Sequence, residues 1–142
     1  MVNDPISDLL TRIKNAGQAG HPSLVLPFSK IKLEIVNALV RAGYIKSVTV
    51  FEKAIGKKTA FKYLEIVIFY DPQVFKTGKK TPKIGDALRV SKLSRRIYSG
   101  IKDLRPVRQG YGTSILSTTK GILTDKEAKR ARLGGEVLLK IW

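Results

Sequence analysis

The apolar positions of this chain fall into short blocks that change period several times. Near the N-terminus Ile6, Leu9, Leu10 and Ile13 recur at i, i+3, i+4 and i+7, one stripe of a helix. Asp8, Arg12, Lys14 and Asn15 occupy the opposite side. Asn3-Asp4-Pro5 reads as the helix start, a capping side chain followed by proline where its missing N–H does no harm. Gly17 and Gly20 read as its end. Residues 23–28 form a short strand that Pro27 consigns to an edge or an end. Ser29 is placed to cap a second helix over 30–42, where Ile31, Ile35, Val36, Leu39 and Val40 return to helical spacing before Gly43. Residues 44–51 and 61–70 are strands, with Leu64, Ile66 and Ile68 on one face by the period of two. Between them, residues 52–60 carry Lys53, Gly56, Lys57 and Lys58 and read as an exposed loop. The first 70 residues are therefore α-β-α-β-β.

Asp71-Pro72 breaks this pattern. The basic run Lys-Thr-Gly-Lys-Lys-Thr-Pro-Lys at 76–83 marks a domain boundary. The expected division is an N-terminal domain over 1–71, a basic linker or loop over 72–86, and a C-terminal domain over 87–142. Beyond the boundary, residues 87–91 suit a strand, 101–104 a helical turn before Pro106, and 137–142 a last strand. Ile115-Leu116 and Ile122-Leu123 are short apolar runs either side of Ser117-Thr118-Thr119-Lys120-Gly121, read as a turn of three hydroxyls. Thr124-x-x-Glu127 is a capping box that opens a short helix carrying Lys126, Lys129, Arg130 and Arg132, stopped by Gly134-Gly135. No internal repeat is present.

Charge changes the picture. The 142 residues hold 27 Lys and Arg against 11 Asp and Glu, a net charge of +16. Residues 1–71 carry +4 of it and residues 72–142 carry +12. Such an imbalance repels itself unless a polyanion is present, and nucleic acid is the first candidate. At 43% hydrophobic the chain should nonetheless fold around a core.

In that basic field the hydroxyl turn gains interest. A hydroxyl donates and accepts, so it reads a base edge or ribose where lysine only neutralises phosphate. Ser117, Thr118 and Thr119 also make an ordinary β-turn, and the turn alone does not decide. Arg95-Arg96-Ile97-Tyr98 suits a phosphate with a stacked base, or equally a strand with Ile97 inward. Lys30 and Lys32 stand in a first helical turn, tolerable beside a phosphate or as a solvated pair.

Catalysis finds no footing. There is no cysteine, and His21 is the one histidine, so no metal site is expected. No nucleophile elbow, phosphate loop or dinucleotide fingerprint occurs. Asp125 and Glu127 are explained by helix capping. The expectation is a chain that is not an enzyme, with no cofactor and no small-molecule substrate. No run approaches the ~18 apolar residues of a membrane span, and the start shows no signal-peptide pattern.

The segments at 4–16 (DPISDLLTRIKNA), 27–35 (PFSKIKLEI), 42–45 (AGYI), 110–130 (GYGTSILSTTKGILTDKEAKR) and 133–136 (LGGE) resemble the family of the eighth protein of the small ribosomal subunit, in its bacterial or organellar form. The resemblance covers nearly the whole chain. It implies an α+β fold of two small α/β domains, the second mostly β with one short helix. It implies early binding to the central domain of small-subunit ribosomal RNA, a role in organising the platform, and contacts with the fifth and twelfth proteins of the subunit. The location it implies is the ribosome, cytoplasmic or organellar. Carried onto this chain, the RNA-binding residues are Ser117, Thr118, Thr119, Lys120, Gly121 and Glu136, with Arg95, Arg96 and Tyr98, and in the N-terminal domain Ser29, Lys30 and Lys32. Thr119 stands where the family commonly has serine, and Leu93-Ser94 where it often has Pro-Gly. Residues 71–86 are longer and more basic than is usual. Two competitors have less support: a DNA-binding module would need a recognition helix with Asn, Gln and Arg on one face, and a membrane-surface protein would need exposed aromatic anchors on its helices.

Overall fold

The computed structural model describes residues 4–55, 59–70, 82–92, 94–104 and 112–142. The chain divides into two compact units, one of Thr11–Lys83 and one of Ile84–Trp142 with the N-terminal segment through Leu10. The class is α+β. The expected Asn3, Asp71-Pro72, Pro106 and most of the basic stretch 72–86 lie outside the described residues.

Helix α1 spans Pro5–Ala19. Asp4 starts it, accepting from the amides of Ile6 and Ser7, each at 3.2 Å, and from the Ser7 hydroxyl at 2.7 Å. Ile6, Leu9, Leu10 and Ile13 are buried as their spacing predicts. Gly17 does not end the helix. A side chain there would meet the Pro82 ring at 3.0 Å, so this glycine serves close packing. Termination falls at Gly20, with φ +76°.

In the unit Thr11–Lys83, strands β1 (Ser23–Pro27), β2 (Ile45–Ile55) and β3 (Thr59–Ile68) form an antiparallel sheet in the order β1-β3-β2. Pro27 lies on an edge strand, where no ladder bond is lost. Leu64 and Ile66 are fully buried and Ile68 nearly so. Helix α2 (Lys30–Arg41) packs its Ile35, Val36, Ala38 and Leu39 face inward and lies against β2. The loop expected over 52–60 is mostly ladder instead. Glu52 pairs with Lys62, Lys53 with Phe61 and Ala54 with Ala60, because backbone bonds and an opposite-charge pair support strand whatever the side-chain polarity.

In the other unit, β4 (Ala87–Arg89), β8 (Gly135–Ile141), β6 (Thr113–Thr118) and β7 (Gly121–Thr124) lie side by side in that order, and β5 (Tyr98–Ser99) also pairs with β8. A 3₁₀ turn at Ile101–Asp103 matches the predicted helical turn. The sheet has two buried sides. Leu116, Val137, Ala128 and Leu104 cluster on one, with Val90 and Leu123 against them. Helix α3 (Asp125–Ala131) packs on β6 and β7 from that side. Its capping box forms as predicted: the Glu127 amide donates to the Thr124 hydroxyl and the Thr124 amide to the Glu127 carboxylate. Its end differs from expectation. Arg132, at φ 56°, makes the left-handed turn, and Gly134-Gly135 lie beyond it.

Candidate nucleic-acid interface

The hydroxyl segment is not a turn of three. Ser117 and Thr118 complete strand β6, and Thr119-Lys120 alone connect it to β7. Thr118 pairs with Gly121, whose φ of +103° closes the hairpin as a glycine bulge does. The Thr118 hydroxyl is consumed locally. It donates to the Gly121 carbonyl at 2.8 Å and accepts from the Lys120 amide at 3.2 Å. Among the described residues the Ser117 and Thr119 hydroxyls have no such partner. Thr119 and Lys120 are exposed and Ser117 is half-buried.

Strand register decides what lies beside Ser117. It pairs with Glu136 of β8, and Glu136 pairs on its other side with Tyr98 of β5. Directly paired residues point to the same side of a sheet. Tyr98, Glu136 and Ser117 therefore form one row across three strands, away from the Leu116–Val137 core. This row depends on a bulge. Ile115 pairs with Leu139 but Leu116 with Val137, so Leu138 is an extra residue in β8. Upstream of it the alternation of β8 is reversed, which turns Glu136 to the Ser117 side.

Gly134 and Gly135 bring the strands into place. A Cβ on Gly135 would overlap the Ser117 carbonyl, and one on Gly134 would lie 2.5 Å from the Ser99 carbonyl oxygen. Neither glycine has a positive φ, so each is needed for space rather than for conformation. Sequence reasoning took the pair for a helix stop and missed this.

It also missed Ser91. This fully buried hydroxyl accepts from the Ile97 amide at 2.9 Å and donates to the Ile97 carbonyl at 3.2 Å. The same carbonyl takes the Val137 amide at 2.9 Å. Lys92 and Arg95 exchange two backbone bonds, and Ser91 fastens Ile97 beside that pair. Tyr98 follows Ile97 and is 71% exposed. Arg95 is exposed, while Arg96 donates to a Glu136 carboxylate oxygen at 2.9 Å. The strand alternative for this stretch holds in part: Ile97 is half-buried and Tyr98 opens β5.

Lys126, Lys129, Arg130 and Arg132 are exposed on or just after α3, which packs on the face of the sheet opposite the row. In the other unit Ser29 is the N-cap of α2, but its side chain makes no cap bond. The expected capping by that hydroxyl does not occur, and the Leu33 amide uses the Ser29 carbonyl. Lys30 is exposed and Lys32 half-buried in the first turn of α2, which has no acidic residue.

Asp4 is held below its ordinary carboxylate pKa. Burial alone would raise it, but the Ser7 hydroxyl and amide and the Arg89 guanidinium, 3.3 Å away, outweigh burial. No group of three or more metal-ligating side chains occurs among the described residues. None of the described helices is long and apolar enough to cross a membrane.

The ribosomal protein S8 family matches this chain over residues 4–142. The chain is similar to the small ribosomal subunit protein uS8 of Chloroflexus aggregans, 45% identical over 141 residues that cover 99% of this chain and 98% of the relative. It is 40% identical over 142 residues to the protein of that name from Caulobacter vibrioides, covering 99% and 98%. To that of Mycoplasmopsis pulmonis it is 42% identical, covering 100% and 98%.

Proposed function

The chain belongs to the ribosomal protein S8 family, which is not a family of enzymes, and from that premise we propose that it is a structural constituent of the small ribosomal subunit that binds the central domain of the subunit RNA directly. The observation that carries this reading is the row of Tyr98, Glu136 and Ser117 beside the exposed Thr119-Lys120 turn. A free hydroxyl, a carboxylate and an aromatic edge in one line cannot attract a polyanion by charge. They suit the wide, shallow minor groove of A-form RNA, where ribose hydroxyls and base edges are within reach. The Ser117 and Thr119 hydroxyls donate or accept there, and the Tyr98 ring offers a stacking surface.

Affinity comes from the exposed cations of this unit. Arg95, Lys120 and the exposed charges of α3 neutralise phosphates without reading sequence. Gly121 lets the hairpin backbone come close to the RNA. The Thr118 hydroxyl keeps the turn in shape, and Arg96 pairs with Glu136 at the middle of the row. Ser29, Lys30 and Lys32 form a second, separate contact at the start of α2. The same reading includes a part in platform assembly and contacts with the fifth and twelfth proteins of the subunit.

The test is binding of transcribed central-domain RNA and of a perfect RNA duplex of equal length by the S117A/T119A protein. The expected outcome is a loss of tenfold or more on the folded RNA, on the order of one or two good hydrogen bonds, with about the wild-type affinity on the duplex. Equal loss on both would refute shape reading by these hydroxyls. Preference of the wild-type protein for duplex DNA in competition would refute the RNA assignment itself.

A further inference from the structure

Arg95 and Arg96 are neighbours in sequence with different surroundings. Arg95 is exposed and makes no side-chain bond among the described residues, whereas Arg96 is paired with Glu136 at 2.9 Å. The Glu136 side chain is only 16% exposed and that of Arg96 45% exposed. Glu136 also occupies the middle of the row, between Tyr98 and Ser117. A bare carboxylate there would repel phosphate, and it could turn to either side. With Arg96 bound to one carboxylate oxygen, the local charge is balanced and the other oxygen is left to accept. The segment that carries Arg96 is fixed through Ile97, whose backbone is held by the Ser91 hydroxyl and the Val137 amide.

We infer that Arg96 is a positioning residue that acts through Glu136 rather than on a phosphate: it orients the carboxylate so that its second oxygen accepts from a donor of folded RNA, a ribose 2′-hydroxyl or an exocyclic base amine, next to Ser117. This rests on the RNA-binding reading above. Arg96 then contributes to discrimination, and Arg95 and Lys120 contribute to affinity.

The experiment is a double-mutant cycle with R96Q, E136Q and the double variant, measured as affinity for transcribed central-domain RNA over a series of salt concentrations. R96Q in the wild-type background weakens binding about tenfold, because it leaves a charged carboxylate unpaired at the interface. In the E136Q background the same change costs less than about twofold, because nothing remains to be oriented. The slope of log affinity against log salt stays at the wild-type value in R96Q. A phosphate ligand behaves otherwise, since its removal lowers the slope by roughly 0.7–0.9 in either background. An R96Q penalty undiminished by E136Q, or a slope loss of that size, would overturn the inference. S117A in the same series separates this from the underlying reading. If S117A binds like wild type the shape-reading role fails, whatever the cycle gives. If the wild-type protein does not bind the RNA, both fall.

Discussion

Gly135→Ala is the sharpest available test of how the row is built. The new Cβ would overlap the backbone carbonyl of Ser117 and lie 3.0 Å from its carbon, with the Thr118 methyl at 3.2 Å. Two of those atoms are backbone, so no side-chain rotation relieves the clash. Strand β8 has to retreat from β6 by on the order of 1 Å to restore ordinary contact. That stretches the ladder around the Ser117–Glu136 pair beyond good hydrogen-bond length. Overpacking of this kind costs about 1–3 kcal/mol, and each weakened bond adds about 0.5–1.5 kcal/mol. A loss of about 2–4 kcal/mol follows once partial relaxation is allowed for. For a chain of this length that is a fall in melting temperature of roughly 6–12 °C. Urea denaturation of the purified protein, with Gly121→Ala beside it, measures the effect. Gly121 has the opposite character: its φ is +103° and nothing lies within 4 Å of an added Cβ. Its alanine variant carries only the conformational penalty of about 1–2 kcal/mol. A Gly135→Ala protein with the wild-type denaturation midpoint, or one less affected than Gly121→Ala, would refute the claim that strand spacing fixes this glycine.

Other outcomes follow from the same geometry. Thr124→Ala removes the hydroxyl that caps α3 and should lower stability by about 1 kcal/mol in urea denaturation. Ser91→Ala leaves the Ile97 amide without its partner; a loss of about 1–3 kcal/mol is expected, with faster amide exchange at Ile97 as the local readout. The depressed pKa of Asp4 ties stability to pH. The folded form binds its proton less readily than the unfolded chain, so the contribution is complete above the ordinary carboxylate pKa and is lost as pH falls through the folded value. Asp4→Asn should accordingly show a smaller fall in denaturation midpoint than wild type between about pH 5 and pH 2.

Much of the fold was legible because its signals are local. The α1 stripe, the Leu64, Ile66 and Ile68 face, the edge position of Pro27 and the Thr124–Glu127 box each rest on residues a few positions apart. What was not legible depends on partners distant in sequence. The length of the β2–β3 hairpin comes from ladder pairing, which polar residues such as Glu52 and Lys62 join as readily as apolar ones. Gly17 looked like a terminator because Pro82, which explains it, lies 65 positions away by numbering. The candidate site divides in the same manner. Ser117, Thr119 and Lys120 were visible as a hydroxyl and basic cluster. That Thr118 spends its hydroxyl on its own turn, and that Arg96 reaches Glu136, required the register of β5, β8 and β6.

The extra residue at Leu138 makes this surface sensitive to counting as well as to chemistry. If β8 paired with β6 at its full length but without the bulge, Leu138 would fall opposite Leu116, Val137 opposite Ser117 and Glu136 opposite Thr118. The carboxylate of Glu136 would then swing to the side occupied by α3, among Leu116 and Ala128, and an aliphatic side chain would take its place beside Ser117. Deletion of Leu138 avoids that exchange, because Val137 still meets Leu116 and Glu136 still meets Ser117, now in a regular ladder. RNA binding should accordingly survive deletion of Leu138 better than stability does, since the deletion gives up one buried leucine but keeps Glu136 beside Ser117.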